Sequence, residues 1–184
     1  MCWYKSAKSI ACIGGIITII CFAACKQDAK ATITSLKYFD VKGYFEKDSK
    51  RLTKQNNLVF KTVTHNGVSQ SKKIHIANWG IELSLFKESD INRPAWKDSY
   101  TVINDNDVLI YKAKYPELKT REIRIKNDKE KVSWILIINN AENPLYQTSE
   151  KLSYFPDSLY LIEKYQKVKL MGSNNYKIEG LIVH

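Results

Sequence analysis

The chain has 184 residues, of which 44% are apolar and 26% charged. That balance excludes wholesale disorder, and 7 Gly with 4 Pro exclude a collagen-like repeat. Lys and Arg number 29 against 19 Asp and Glu, a net charge of +10, and the length suits one domain with space for a small second lobe.

Residues 1–25 differ in composition from the rest. Lys5 and Lys8 make a positive start, and no acid precedes Asp28. A largely apolar run of sixteen residues follows, from Ile10 to Cys25. As a helix it would reach roughly 24 Å, short of a ~30 Å hydrocarbon core. A charged start, a short apolar stretch and small closing residues read as an export signal. All four cysteines (Cys2, Cys12, Cys21 and Cys25) lie here, so residues 26–184 exclude an internal disulfide and a cysteine-ligated metal. Removing residues 1–24 takes two lysines and no acid, which lowers +10 to +8.

The run closes on Phe22-Ala23-Ala24-Cys25. This resembles the lipobox of bacterial lipoproteins, with Phe22 in the place of the usual leucine. The resemblance implies cleavage between Ala24 and Cys25 and a diacylglyceryl thioether on the Cys25 thiol. Residues 1–24 are then a signal peptide, residues 25–32 a lipidated tether, and residues 33–184 a single envelope domain. The seven tether residues after Cys25 reach at most about 25 Å, so the domain stays close to its membrane.

Periodicity predicts a first helix over 33–54, with Ile33, Leu36, Val41, Tyr44, Phe45 and Leu52 on one arc. Leu58–His65 and Val68–Ile76 flank Asn66-Gly67, the preferred type I′ pair. A two-residue loop sets His65 opposite Val68, Val59 opposite Ile74 and, unfavourably, Lys61 opposite Lys72. That hairpin reads as an exposed edge. Asn78 is placed to cap a short helix carrying Trp79, Leu83 and Phe86, and Asn92-Arg93-Pro94 stops it before Trp96, a core plug.

Strand and turn follow. Tyr100–Asn104 and Val108–Tyr115 flank Asp105-Asn106. Lys119–Lys126 and Lys131–Asn139 flank a four-residue loop that would pair Ile123 with Trp134 and Ile125 with Val132. Ser133–Ile138 is almost wholly apolar, which suggests a central strand covered on both faces. Leu145–Phe155, Leu159–Tyr165, Lys167–Met171 and Tyr176–Val183 complete the series, with Gly172–Asn175 as the last turn. The expected fold class is α+β. An N-terminal helix and a second short helix pack on a long, strongly curved antiparallel meander, a half-barrel.

Chemistry is sparse. His65, His75 and His184 have no metal-ligand spacing, and no Gly-x-Ser-x-Gly elbow occurs. Glu88 with Asp90, Asp105 with Asp107, and Glu117 with Glu122 read as solvated turn groups. No catalytic residue, metal or cofactor is expected. The basic clusters at Lys37–Lys54 and Lys112–Lys126 suit anionic lipid or glycan rather than nucleic acid in an exported protein. Tyr100, Tyr111, Trp134, Tyr154 and Tyr160 are the candidate ligand-binding residues, since these rings offer an apolar face and a polar tip.

Several stretches carry a further resemblance: Tyr44-Phe45-Glu46 with Arg51-Leu52, Lys61-Thr62-Val63, Trp79 with Glu82-Leu83, Asp90 to Trp96, and Tyr154 to Tyr160. They resemble uncharacterised lipoproteins of Bacteroidetes-type Gram-negative bacteria, a group that implies no activity. The expected architecture is also similar to periplasmic carriers of the LolA and LolB type. The expectation is a lipid-anchored, non-catalytic envelope protein, at the outer membrane on its periplasmic or surface side. It would bind or carry an apolar or anionic ligand, lipid or glycan. The alternative is an interaction subunit with an envelope-protein partner docked on the 58–76 hairpin, and an envelope hydrolase ranks last.

Overall fold

The computed structural model describes residues 36–129 and 131–184. The export segment, Ala24, Cys25 and the tether at 25–32 lie outside them. The described chain is mostly antiparallel sheet with three helices.

Helix α1 spans Val41–Gln55. It starts at Val41 rather than near residue 33 because the backbone before it is bonded elsewhere. The Asn92 side chain accepts from Tyr38 N at 3.1 Å and donates to the carbonyls of Tyr38 and Phe39 at 3.2 and 2.9 Å. Phe39 N donates to the Tyr111 hydroxyl. Those groups are not free to join a helix ladder. Asp40 then caps the helix, accepting from Gly43 N, and Asn56 ends it at φ 50°. Val41, Phe45, Asp48, Ser49 and Leu52 are buried along one side, and Lys42, Lys47, Lys50 and Lys54 face solvent.

Asn78 caps as expected, its side chain accepting from Ile81 N. The expected single helix is two: α2 over Trp79–Glu82 and α3 over Ser84–Glu88, broken where Leu83 takes φ −97° and ψ 17°. Trp79, Leu83 and Phe86 are nonetheless buried together. A 3-10 turn over Pro94–Trp96 follows, with the Arg93 guanidinium 4.4 Å from the Trp96 ring, which is half-buried against the core.

Nine strands follow from this frame. They are β1 Leu58–His65, β2 Val68–His75, β3 Tyr100–Asp105, β4 Val108–Ala113, β5 Thr120–Asp128, β6 Lys131–Glu142, β7 Tyr146–Phe155, β8 Leu159–Val168 and β9 Gly172–Val183. The sheet order is β2-β1-β9-β8-β7-β6-β5-β4-β3, wholly antiparallel. The strands from β3 to β9 form a meander, and β1 returns to pair with β9. The sheet is not closed into a barrel, and β2 and β3 are its edges.

The first hairpin has the expected register, His65 with Val68, Val59 with Ile74 and Lys61 with Lys72. Asn66 at φ 49° and Gly67 at φ 85° supply the two positive angles its turn needs. The β5–β6 register differs from expectation: Ile123 pairs with Ile137 and Ile125 with Ile135. The strands run on to a tighter connection than four residues, since Asp128 pairs with Lys131. Lys129 takes φ 45° there, and a register shift sits between Lys126 and Asn127. This turns Trp134, Leu136 and Ile138 to the face opposite Ile135 and Ile137. The expectation that β6 is covered on both faces is therefore corrected. β8 is one strand where two were expected, and Gly172–Asn175 lies in β9. The turn is Lys169–Met171, followed by Gly172 at φ 82°.

The core lies between the helices and one face of the sheet, here the inner face. Phe45, Phe86 and Tyr154 form a ring cluster with centroids 4.9–5.8 Å apart. Trp79 meets Tyr160 edge-on at 5.9 Å, and Tyr38 meets Tyr111 at 5.4 Å. Full burial of one such side chain contributes about 1.5–3 kcal/mol.

Candidate functional site

Four of the five ring positions read from sequence as ligand-binding lie on this filled inner face. Tyr100, Tyr111, Tyr154 and Tyr160 are all buried, and their hydroxyls are used internally. Tyr100 donates to Thr120 O at 2.9 Å, Tyr111 accepts from Phe39 N, Tyr154 donates to the Asp48 carboxylate, and Tyr160 donates to Glu82 Oε1 at 2.6 Å. Burial raises the pKa of each of these phenols, Tyr100 to about 12. The structure does not bring them together around an open space. Trp134 stands apart, half-buried on the other face.

Polar contacts pin the helices to the sheet. Asp48 on α1 accepts from Tyr154 and from Arg51 Nε at 2.6 Å, and Arg51 also pairs with Asp157 in the β7–β8 turn. Glu82 on α2 joins Tyr160 to the Lys61 ammonium, which lies 2.7 Å away. That contact draws Lys61 away from Lys72. Ser89 closes the other end of the helical layer, accepting from Asn139 Nδ2 at 2.8 Å. Asn139 also donates to Glu150, and this buried carboxylate lies 3.1 Å from Lys164 and 3.6 Å from Lys119. Asp48, Arg51, Lys61, Glu82, Tyr154, Asp157 and Tyr160 supply most of these contacts and fasten helix to strand.

The described residues line several polar clefts. One of about 780 Å³ opens between the start of α1 and α3 and includes Asp40, Glu46, Glu88, Asp90 and Arg93. Asp40 is spent as a helix cap, Asp90 accepts from Asn92, and Glu46 lies 4.0 Å from Lys42. Among the described residues no three His, Cys, Asp or Glu side chains converge as metal ligands. No described helix is long and apolar enough to cross a membrane.

The outer face of the sheet is different. Phe60, Leu181 and Leu159 stand in register across β1, β9 and β8, and Phe155 is paired with Leu159. Trp134 continues the row, because Ile135 pairs with Tyr154 one residue further along. Phe60 and Phe155 are each 40% exposed and Leu181 is 47% exposed. Alongside run Leu161, Leu136 and Ile110, all half-buried. Beyond them the charges neutralise one another: Lys151 with Glu163, Lys177 with Glu179, and Glu122 with Arg124 and Lys112. An apolar stripe rich in aromatic rings, bordered by internally satisfied ion pairs, is thus open to solvent. Sequence reasoning missed it because the one-residue face assignment of β6 depended on its turn.

No family model matches the chain, and no curated protein and no solved structure matches it.

Proposed function

We infer that this chain is a lipid-anchored, non-catalytic protein of the bacterial cell envelope that acts as an interaction subunit. Its partner is a protein that lays an apolar surface over the Phe60–Leu181–Leu159–Phe155–Trp134 row. The carrying observation is the contrast between the two faces of one sheet. The inner face is filled by Trp79, Tyr154, Tyr160, Phe45 and Phe86, each fully buried. The outer face holds a continuous apolar row with two aromatic rings 40% exposed. Interface centres favour such rings and exclude uncompensated charge, and exposed apolar patches of this kind mark docking sites. A carrier of an apolar ligand needs empty apolar volume, which the packing of the inner face argues against.

In this reading the nine strands curl around their helices as a half-barrel, with the stripe on the convex side. The lipobox-like Phe22-Ala23-Ala24-Cys25 supports an anchor on Cys25. The likeness to Bacteroidetes-type lipoproteins supports a place at the outer membrane.

Two experiments separate the parts of this reading. In a bacterial host, Cys25→Ser is expected to abolish incorporation of labelled fatty acid, and labelling that persists overturns the anchor. Native mass spectrometry of residues 26–184, purified gently from a periplasm, is expected to give the bare chain mass. A reproducible extra mass that leaves on denaturation would instead make the protein a carrier.

A further inference from the structure

Among the described residues, four of the five most exposed large apolar side chains gather at one end of the sheet; the fifth, Ile81 on α2, is 71% exposed. Leu170 is 95% exposed, Met171 81%, Val68 71% and Leu145 69%. Leu170 and Met171 form the turn between β8 and β9, Leu145 closes the turn between β6 and β7, and Val68 opens β2. Antiparallel pairing puts all three positions at the same end of the strands. The two turns touch, Lys169 N donating to Leu145 O at 3.0 Å. Turn tips usually carry small or polar residues, because large apolar groups there gain nothing from the fold. Here Leu, Leu and Met stand beside Lys167 and Lys169. Lys97 and Lys114 add positive charge at the same end, against Glu117 and Glu142.

The chain also enters the domain at this end. Lys37 pairs with Asp98 just before β3, and the Tyr38 hydroxyl donates to Lys97 O at 2.6 Å. Leu36 beside them is itself 53% exposed. Ten residues separate Leu36 from Cys25, a reach of about 35–40 Å when extended.

We propose that the β6–β7 and β8–β9 turns are a second membrane-contact site, taking an anionic bilayer surface as their ligand. Leu145, Leu170 and Met171 enter the boundary between headgroups and acyl chains, and Lys167 and Lys169 lie against the phosphates. The inference rests on the lipid-anchor reading for which membrane is met. The anchor holds the turns at high local concentration, which strengthens a contact the unanchored domain also makes. With anchor and turns both on the bilayer, the strands stand upright on it and the outer-face stripe stays clear of the lipid. A flat partner surface fits these tips less well, since the side chains project from separate turns.

The test uses residues 26–184 without lipid. This unit carries its whole described core, from Tyr38 to Ile182, and contains no cysteine. Leu170→Cys therefore takes a single environment-sensitive fluorophore. Lys54→Cys, exposed on the last turn of α1, is the comparison at the opposite end. On phosphatidylethanolamine–phosphatidylglycerol vesicles, the probe at 170 is expected to shift to the blue and that at 54 to stay unchanged. Adding Leu145→Ser and Met171→Ser is expected to weaken binding by about tenfold or more. Lys167→Ser or Lys169→Ser is expected to weaken it up to about fivefold each. No shift at 170, or an equal shift at both positions, overturns the proposal. Because this protein carries no lipid, the outcome does not depend on Cys25, which fatty-acid labelling tests separately.

Discussion

Gly180 shows how tightly the inner face is filled. A Cβ built there would lie 2.1 Å from Cε1 of the Tyr160 ring, and that ring is fixed between Trp79 and Glu82. Gly180→Ala is expected to cost about 1–3 kcal/mol in denaturant unfolding, with the cost shrinking in a Tyr160→Ala background. The buried phenols set the alkaline limit of stability. A phenol whose folded pKa lies above its unfolded value of about 10 favours folding fully below that pH. The contribution is lost as pH rises through the folded value. Tyr100 reaches about 12, and Tyr111, Tyr154 and Tyr160 are raised in the same direction. Stability should therefore hold to about pH 10 and fall between about 10 and 12. The phenolate absorbance of these four, taken as the difference from the corresponding Tyr→Phe variants, should appear together with loss of near-ultraviolet dichroism, and its growth in a still-folded protein would contradict their burial. Sequence placed these tyrosines on strands but could not show what their hydroxyls meet. The Asp48 partner of Tyr154 lies 106 residues away, and no local pattern encodes that distance.

Local chemistry made some elements legible and hid others. Asn66-Gly67 dictated its turn, and the turn dictated the register of β1 with β2. The like-charged pair it produced, Lys61 beside Lys72, is relieved by Glu82, which sequence could not supply. Lys72→Glu on the exposed edge strand should stabilise slightly, by about 0.2–0.5 kcal/mol, and by more in a Glu82→Gln background. Thermal unfolding of the four proteins of that cycle checks it. The start of α1 was not legible, because Asn92 captures the backbone of Tyr38 and Phe39 from outside the segment. Asn92→Ala removes that capture and should cost about 2–3 kcal/mol, read as a lower denaturant midpoint. The register of β5 with β6 was misread because it hangs on Lys129, a non-glycine residue in left-handed backbone, and on a shift that no turn signature announces.

At the scale of the whole domain, the described residues form a nine-stranded open sheet with one face spent on its core and the other largely bare. α+β content, the meander and the edge hairpin followed from periodicity and turn residues. Which face carries exposed rings did not, because it needed the correct parity of β6. The two surfaces proposed for function are set by this architecture: a stripe on the outer face for a protein partner, and two turns at one strand end for the bilayer. Charge placed in the stripe should leave folding nearly intact, since Leu181 is 47% exposed. Leu181→Lys is expected to change the unfolding free energy by no more than about 0.5 kcal/mol, read from the denaturant midpoint at unchanged slope. The most direct measurement is position-resolved photocrosslinking in intact bacteria carrying the anchored chain, with the photoreactive group at Phe155, at Leu181 or at Lys54 on the exposed side of α1. A docking stripe predicts the same discrete protein adduct from positions 155 and 181, lost in the presence of Phe60→Lys, and none from 54. Equal adducts at all three positions, or none at 155 and 181, would contradict it.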